Sequence, residues 1–264
     1  MAQFRHTKFS FDGVSCDEFG LIMVNVGGGE MTRQIGLQRS LSLSENSYGK
    51  FSFDEISTET PTFTITLLKC SKNYDPQPIT QEEIFKINNW LFKTKEFKPF
   101  ISQDNPSIVY YGMFVGGNLW QNENNEGYLE VQFQLNAPHA YGVMQKIAKQ
   151  VSGEKEFSII CKDNVNGYSL PDFEFHLQDG ETEFKVENLT TGQVMSYSNL
   201  DSKSRKGYLY NEGCQHTVSL IDSTINMRPK SNGNFLKLKY GNNNIKITGN
   251  GTFIIYEQPK VALQ

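Results

Sequence analysis

The chain has 264 residues, enough for two domains of ordinary size, and 38% of them are hydrophobic, which supplies core material and excludes a disordered chain. Its 25 basic and 29 acidic side chains leave a formal charge of −4, without the basic stripe that a nucleic-acid binder needs. No apolar run approaches the roughly 20 residues of a membrane-spanning helix, so no membrane insertion is expected.

Met1-Ala2-Gln3-Phe4-Arg5-His6 carries no basic-then-apolar leader, so synthesis in a cytoplasm without the Sec route is expected. The 19 Phe and 12 Tyr suit half-buried pleated surfaces. Alternation begins early and recurs. Phe63-Thr64-Ile65-Thr66-Leu67, Leu129 to Leu135, Phe173 to Leu177, Leu236 to Tyr240 and Ile245 to Ile247 each read as a strand with one buried face. Asp12-Gly13, Asn166-Gly167, Asp179-Gly180, Gly241-Asn242 and Asn250-Gly251 supply turns between them. Many short strands closely spaced argue for β-sandwiches over alternating β and α units.

One helix is predicted over about residues 80–94. Thr80-Gln81-Glu82-Glu83 is a capping box, and Ile79 and Ile84 are placed as the hydrophobic staple. Ile84, Ile87 and Leu91 fall on one face, which Phe85, Trp90 and Phe92 widen, and Pro99 lies beyond the end. The spacing of Met144, Ile147 and Val151 predicts a second short helix over 141–151. A strand ends near Asn136-Ala137-Pro138, where proline stops simple continuation. The expected domains are therefore residues 1–138, with the helix, and 139–264.

Catalytic constellations are missing from the sequence. His6, His139, His176 and His216 have no partner at metal-ligand spacing, and there is no HExxH, GxSxG or phosphate-loop motif. Cys16, Cys70, Cys161 and Cys214 are scattered and expected to be reduced. Asp163-Asn164-Val165-Asn166-Gly167 has Val165 where a calcium loop needs an oxygen ligand, so it reads as a turn. Asp17-Glu18 and Asp54-Glu55 are acidic doublets, but adjacent residues on a strand face opposite ways. No catalytic residue, metal or cofactor is assigned, and no enzymatic activity is expected. Tyr168, Tyr197, Tyr208, Tyr210 and Tyr240 keep open a sugar-binding surface in the second half, although sheet packing also explains them.

Phe9-Ser10-Phe11-Asp12-Gly13-Val14-Ser15-Cys16-Asp17-Glu18-Phe19-Gly20-Leu21 resembles the opening of siphophage distal tail proteins. Trp90-Leu91 on the helix, Leu135 to Gly142 at the junction, and Val186 to Gln193 resemble that family in the same order. So do Phe235 to Leu238, Gly241 to Ile247 and Phe253 to Tyr256. The resemblance runs nearly end to end and is carried by order and spacing, since each motif is small.

The resemblance implies a mainly β protein of two β-sandwich domains, the second galectin-like or jelly-roll. It implies a structural protein of the virion at the phage tail tip, made in the bacterial host cytoplasm. There a homohexameric ring would join the tail tube protein to the tail-associated hub, often with receptor-binding proteins at its side. The alternative is a carbohydrate-binding module for host wall saccharide in the C-terminal sandwich; a glycosidase or peptidase within a tail is a further rival. Candidate ring and tube contacts fall in residues 27–60: Gly27, Gly28, Gly29, Arg33, Arg39, Tyr48 and Lys50.

Overall fold

The computed structural model describes residues 7–25, 39–45, 48–211 and 215–263, with backbone alone over 51–56. The chain is mainly β and divides into two compact units, Met1–Tyr141 with Ala262–Gln264, and Gly142–Val261.

The first unit contains β1 (Phe9–Phe11), β2 (Val14–Ser15), a 3-10 turn (Cys16–Phe19), β3 (Leu21–Val24), β4 (Arg39–Glu45), β5 (Phe51–Thr58) and β6 (Thr62–Lys69). The helix α1 (Gln81–Phe92) follows, then β7 (Lys98–Ser102), β8 (Ile108–Gln121), β9 (Gly127–Leu135) and β10 (Ala140–Gly142). One antiparallel sheet runs in the order β2-β1-β7-β8-β9-β6-β3. Phe9, Phe11, Ile65, Leu67, Phe100 and Phe133 project from it into one core. The rings of Phe11 and Phe133 lie 6.1 Å apart although β7 and β8 separate their strands. A flat sheet spaces strands by about 4.8 Å, so this one coils strongly round its core.

Helix α1 closes that core. Thr80 Oγ1 accepts from the Glu83 N–H at 3.3 Å, and the Glu83 carboxylate accepts from the Thr80 N–H at 2.9 Å. Lys69 Nζ also reaches Glu83, at 2.7 Å, and its charge with these hydrogen bonds lowers the carboxyl pKa. Ile87 and Leu91 are buried. Phe85, however, is 66% exposed. It lies about 100° round the helix from Ile84 and so stands off the stripe it was expected to widen. Trp90 and Phe92 do pack on the core. The doublet Asp17-Glu18 sits in the 3-10 turn and not on a strand, with Asp17 held by Lys8 at 2.6 Å.

The second unit contains β11 (Gln145–Val151), β12 (Glu154–Cys161), β13 (Tyr168–Ser169), β14 (Asp172–Leu177), β15 (Phe184–Asn188), β16 (Gln193–Tyr197) and β17 (Lys206–Tyr210). It continues with β18 (His216–Ser219), β19 (Leu238–Lys239), β20 (Gly241–Thr248), β21 (Gly251–Glu257) and β22 (Lys260–Val261). A five-stranded sheet, β11-β21-β14-β17-β18, faces a four-stranded sheet, β12-β20-β15-β16. Phe173, Phe175 and Phe253 from the first meet Phe184, Val186 and Tyr197 from the second in a shared core. This is a β-sandwich, its thickness filled by interdigitating side chains.

Two local expectations are corrected. Residues 141–151 form strands and no helix: β11 pairs with β21 from Gln145↔Glu257 to Val151↔Gly251. Ile147 and Val151, four apart, share a face in a strand as they would in a helix, while Met144 is 54% exposed. Of Leu236 to Tyr240, only Leu238–Lys239 forms a strand, paired with β13. Leu236 is nonetheless buried, so burial there comes from packing without a ladder. No helix among the described residues is long and apolar enough to cross a membrane.

Candidate assembly ribbon and tyrosine face

Strands β4 and β5 form a sheet of their own. Their register runs from Arg39↔Thr58 to Glu45↔Phe51, with a shift between Ser42 and Leu43 that makes Asp54 the extra residue of a bulge. Every residue of β4 is exposed, including Leu41 at 52% and Leu43 at 50%. Arg39 opens this ribbon, and Tyr48, 87% exposed, and Lys50 stand at its turn. Gly49 takes φ +70 there, a left-handed conformation that glycine adopts without a Cβ clash. Gly27, Gly28, Gly29 and Arg33 lie outside the described residues.

A two-stranded ribbon is marginal in water unless a third strand or a packed face supports it. Its outer edges also present backbone donors and acceptors to any strand that fits. Among the described residues no third strand pairs with this ribbon.

The turn after β8, Gln121 to Gly127, does more than face solvent. Gln121 Nε2 donates to the Ile79 carbonyl at 3.1 Å, and the Ile79 N–H donates to the Asn125 carbonyl at 2.9 Å. It thereby fixes the entry to α1.

The outer face of the five-stranded sheet carries a different chemistry. Tyr208 packs on Tyr210, with ring centroids 4.7 Å apart, and on Tyr256 at 5.7 Å. The Tyr208 hydroxyl donates to Asp172 at 2.9 Å and the Tyr256 hydroxyl to Glu174 at 2.6 Å. His176 Nε2 lies 2.5 Å from the other oxygen of Glu174. Burial works to raise the Glu174 pKa, but the hydrogen bonds from Tyr256 and His176 outweigh it and the net shift is downward. The Tyr256 hydroxyl, donating to that carboxylate, is pushed up to about 12. Burial and Asp172 likewise raise Tyr208.

Of the five tyrosines singled out in the sequence, only Tyr208 and Tyr210 share this face. Tyr197 is buried in the core, its hydroxyl 2.6 Å from Thr217. Tyr168 lies on β13 under the Lys237 ammonium, and the exposed Tyr240 lies between β19 and β20. Tyr256, Asp172 and Glu174 were missed. The signal was present in the alternation of β14 and β21, which puts Asp172, Glu174 and Tyr256 opposite Phe173, Phe175 and Ile255.

Elsewhere, one buried acid closes a turn and another is buried at a strand end. Asp163 is buried and accepts from the backbone N–H groups of Val165, Asn166 and Lys260 at 3.1 to 3.3 Å. Its carboxylate thus closes a turn. Glu257, at the end of β21, is fully buried, and among the described residues no donor other than the nearby Cys161 thiol acts on its oxygens. Burial pushes its pKa up to about 7, a rise that the nearby Cys161 thiol moderates. Among the described residues no three His, Cys, Asp or Glu side chains form a group able to hold a metal ion.

The family model for a phage tail protein N-terminal domain matches residues 4–137. No curated protein matches the chain in sequence. Among solved structures, the Dit protein of phage SPP1, described as a hub adsorption apparatus in phages infecting Gram-positive hosts, aligns with TM-score 0.62 at 13% identity, covering 96% of this chain and 99% of that one. A chain of the phage P2 baseplate in its activated conformation with Ca aligns with TM-score 0.56 at 8% identity, covering 98% and 99%. The corresponding baseplate with Sr gives TM-score 0.56 at 9% identity, with the same coverage. At such identities the likeness is one of fold, and it extends over both units.

Proposed function

The chain belongs to the family of phage tail proteins, matched over residues 4–137, and from that premise we propose that it is a distal tail protein forming a hexameric ring at the tip of a long non-contractile tail. That it is a structural component of the phage tail follows from the family; the ring and its position are the proposal. The ring joins the tail tube protein above to the tail-associated hub below and offers its side to a receptor-binding protein. It acts by assembly and performs no catalysis.

The observation that carries this reading is the β4–β5 ribbon, which finds no third strand among the described residues and exposes Leu41 and Leu43. A closed ring is a heterologous interface in which one face of each subunit meets a different face of the next. An exposed two-stranded ribbon supplies one such face through backbone edges and apolar side chains. Arg39, Tyr48 and Lys50 are its proposed contacts. Support for the tail-tip position comes from the full-length likeness in fold to the SPP1 Dit protein.

The test is the mass of the purified chain across a concentration series, by light scattering behind a sizing column, with negative-stain imaging. The expected result is a six-fold mass and a ring, reached alone or on addition of tail tubes. A strict monomer at every concentration, with and without tubes, overturns it.

A further inference from the structure

The two outer faces of the second unit are built differently. On the four-stranded sheet, charges neutralise one another: Lys246 pairs with Glu154 at 2.9 Å and Lys185 with Glu187 at 3.0 Å. That face resembles an ordinary solvated surface. On the five-stranded sheet, three tyrosines from β17 and β21 lie in one row, and the hydroxyls of two of them, Tyr208 and Tyr256, donate to carboxylates.

Register explains the row. Glu174 lies between Tyr208 and Ile254, and Asp172 lies beside Tyr256, so rings and acids alternate across three neighbouring strands. The hydroxyl bonds hold the rings of Tyr208 and Tyr256 in place before any ligand arrives. Tyr210 at the rim is 46% exposed. Each carboxylate oxygen can accept more than one donor. Asp172 accepts from Tyr208 and from the Asn211 N–H at 2.8 Å, and Glu174 holds Tyr256 and His176. Further acceptor capacity therefore remains directly beside aromatic carbon.

We propose that this face binds a saccharide, with the Tyr210 ring as stacking surface and Asp172 and Glu174 as acceptors for ring hydroxyls. The pairing of an apolar plane with fixed acceptors matches a sugar, which offers C–H bonds on one face and hydroxyl donors at its edge. A protein partner fits less well. It would have to strip water from Asp172, Glu174 and the exposed Lys146, and burying such charges without full compensation is costly. Sugar hydroxyls instead replace that water bond for bond. The proposal goes beyond the ring reading and does not depend on it, since the ribbon belongs to the other unit.

The experiment titrates the full-length protein with fluorescently labelled cellotetraose, chitotetraose and maltotetraose, and measures binding by polarisation. The expected result is saturable binding of at least one tetrasaccharide. Tyr210→Ala should weaken it about ten-fold, the equivalent of ~1.4 kcal/mol for one ring contact. Glu174→Gln, which keeps the shape but weakens the acceptor, should also weaken it. Tyr240→Ala, an exposed tyrosine off this face, should leave it unchanged. Assembly mass, measured alongside, should be the same for Tyr210→Ala and wild type, so failure of the ring and failure of the sugar site are told apart. No binding of any tetrasaccharide at 10-millimolar order, or binding equally strong in Tyr210→Ala and Glu174→Gln, overturns the proposal.

Discussion

The indole N–H of Trp90 on α1 donates to the main-chain carbonyl of Phe11, 79 residues earlier in the chain, at 3.1 Å. The same ring stacks on Phe19 at 4.5 Å and on Phe9 at 5.6 Å. One side chain thus ties the helix to the strand and turn that open the first unit. Trp90→Phe removes the hydrogen bond and part of the stack, and should cost about 1–3 kcal/mol; Trp90→Ala should cost about 3–5 kcal/mol. Urea denaturation followed by far-ultraviolet circular dichroism checks this, and an unchanged midpoint for Trp90→Ala would refute the tie.

Glu257 links stability to pH. Its folded pKa of about 7 stands above the ordinary 4.5 because the carboxyl is buried. Between those values the unfolded chain gives up its proton while the folded chain keeps it, so the contribution of Glu257 to stability is full below about pH 4.5 and falls as pH rises to about 7. The loss is about 3 kcal/mol once both states are ionised. Glu257→Gln abolishes this slope and should be more stable than wild type at pH 8. Denaturation midpoints at pH 5, 6, 7 and 8 show it; a variant that keeps the wild-type slope puts the linkage elsewhere.

Asn188 holds three segments together from a fully buried position. Its amide donates to the Lys237 carbonyl at 2.8 Å and to Asn243 at 3.0 Å, and its oxygen accepts from the Thr190 N–H at 3.1 Å. Asn188→Leu removes all three bonds, among them the fully buried one to Asn243, and leaves the Asn243 amide oxygen with one donor fewer. The expected cost is about 2–4 kcal/mol, read as a lower thermal midpoint, whereas Asn244→Ala on the exposed neighbour should change it little.

The proposed role of the ribbon separates folding from assembly. Leu41 and Leu43 touch water in the single chain, so Leu41→Asp with Leu43→Asp should shift monomer stability by less than about 0.5 kcal/mol. The double variant should nevertheless lose the ring mass. A variant that still sizes as wild type excludes the ribbon from the subunit contact.

How far the sequence could be read follows from the range of each interaction. The capping box of Thr80 and Glu83 spans four residues and was legible in full. The alternation of Leu129 to Leu135 and Phe173 to Leu177 gave strands with the correct inward residues. Residues 141–151 misled because Ile147 and Val151 satisfy both periodicities at once. The Trp90–Phe11 bond, the Asn188 network and the joining of Tyr256 to Tyr208 depend on strands brought together from far apart, which local spacing does not encode. Nothing in the residue types of Arg39, Tyr48 or Lys50 says that β4 and β5 stand as a pair apart from the main sheet.

A pair of strands proposed to be completed by a neighbour is open to the wrong one as well. Edges that pair with no third strand among the described residues, with Leu41 and Leu43 beside them, offer a template to an extended chain, including another copy in a register that cannot close. The bulge at Asp54 and the acidic and basic residues flanking the turn interrupt such stacking. On the proposed ring reading, production of this chain without its neighbours sets orderly closure against fibrous growth. Dilution, salt and the moment at which tail components meet decide which arrives first.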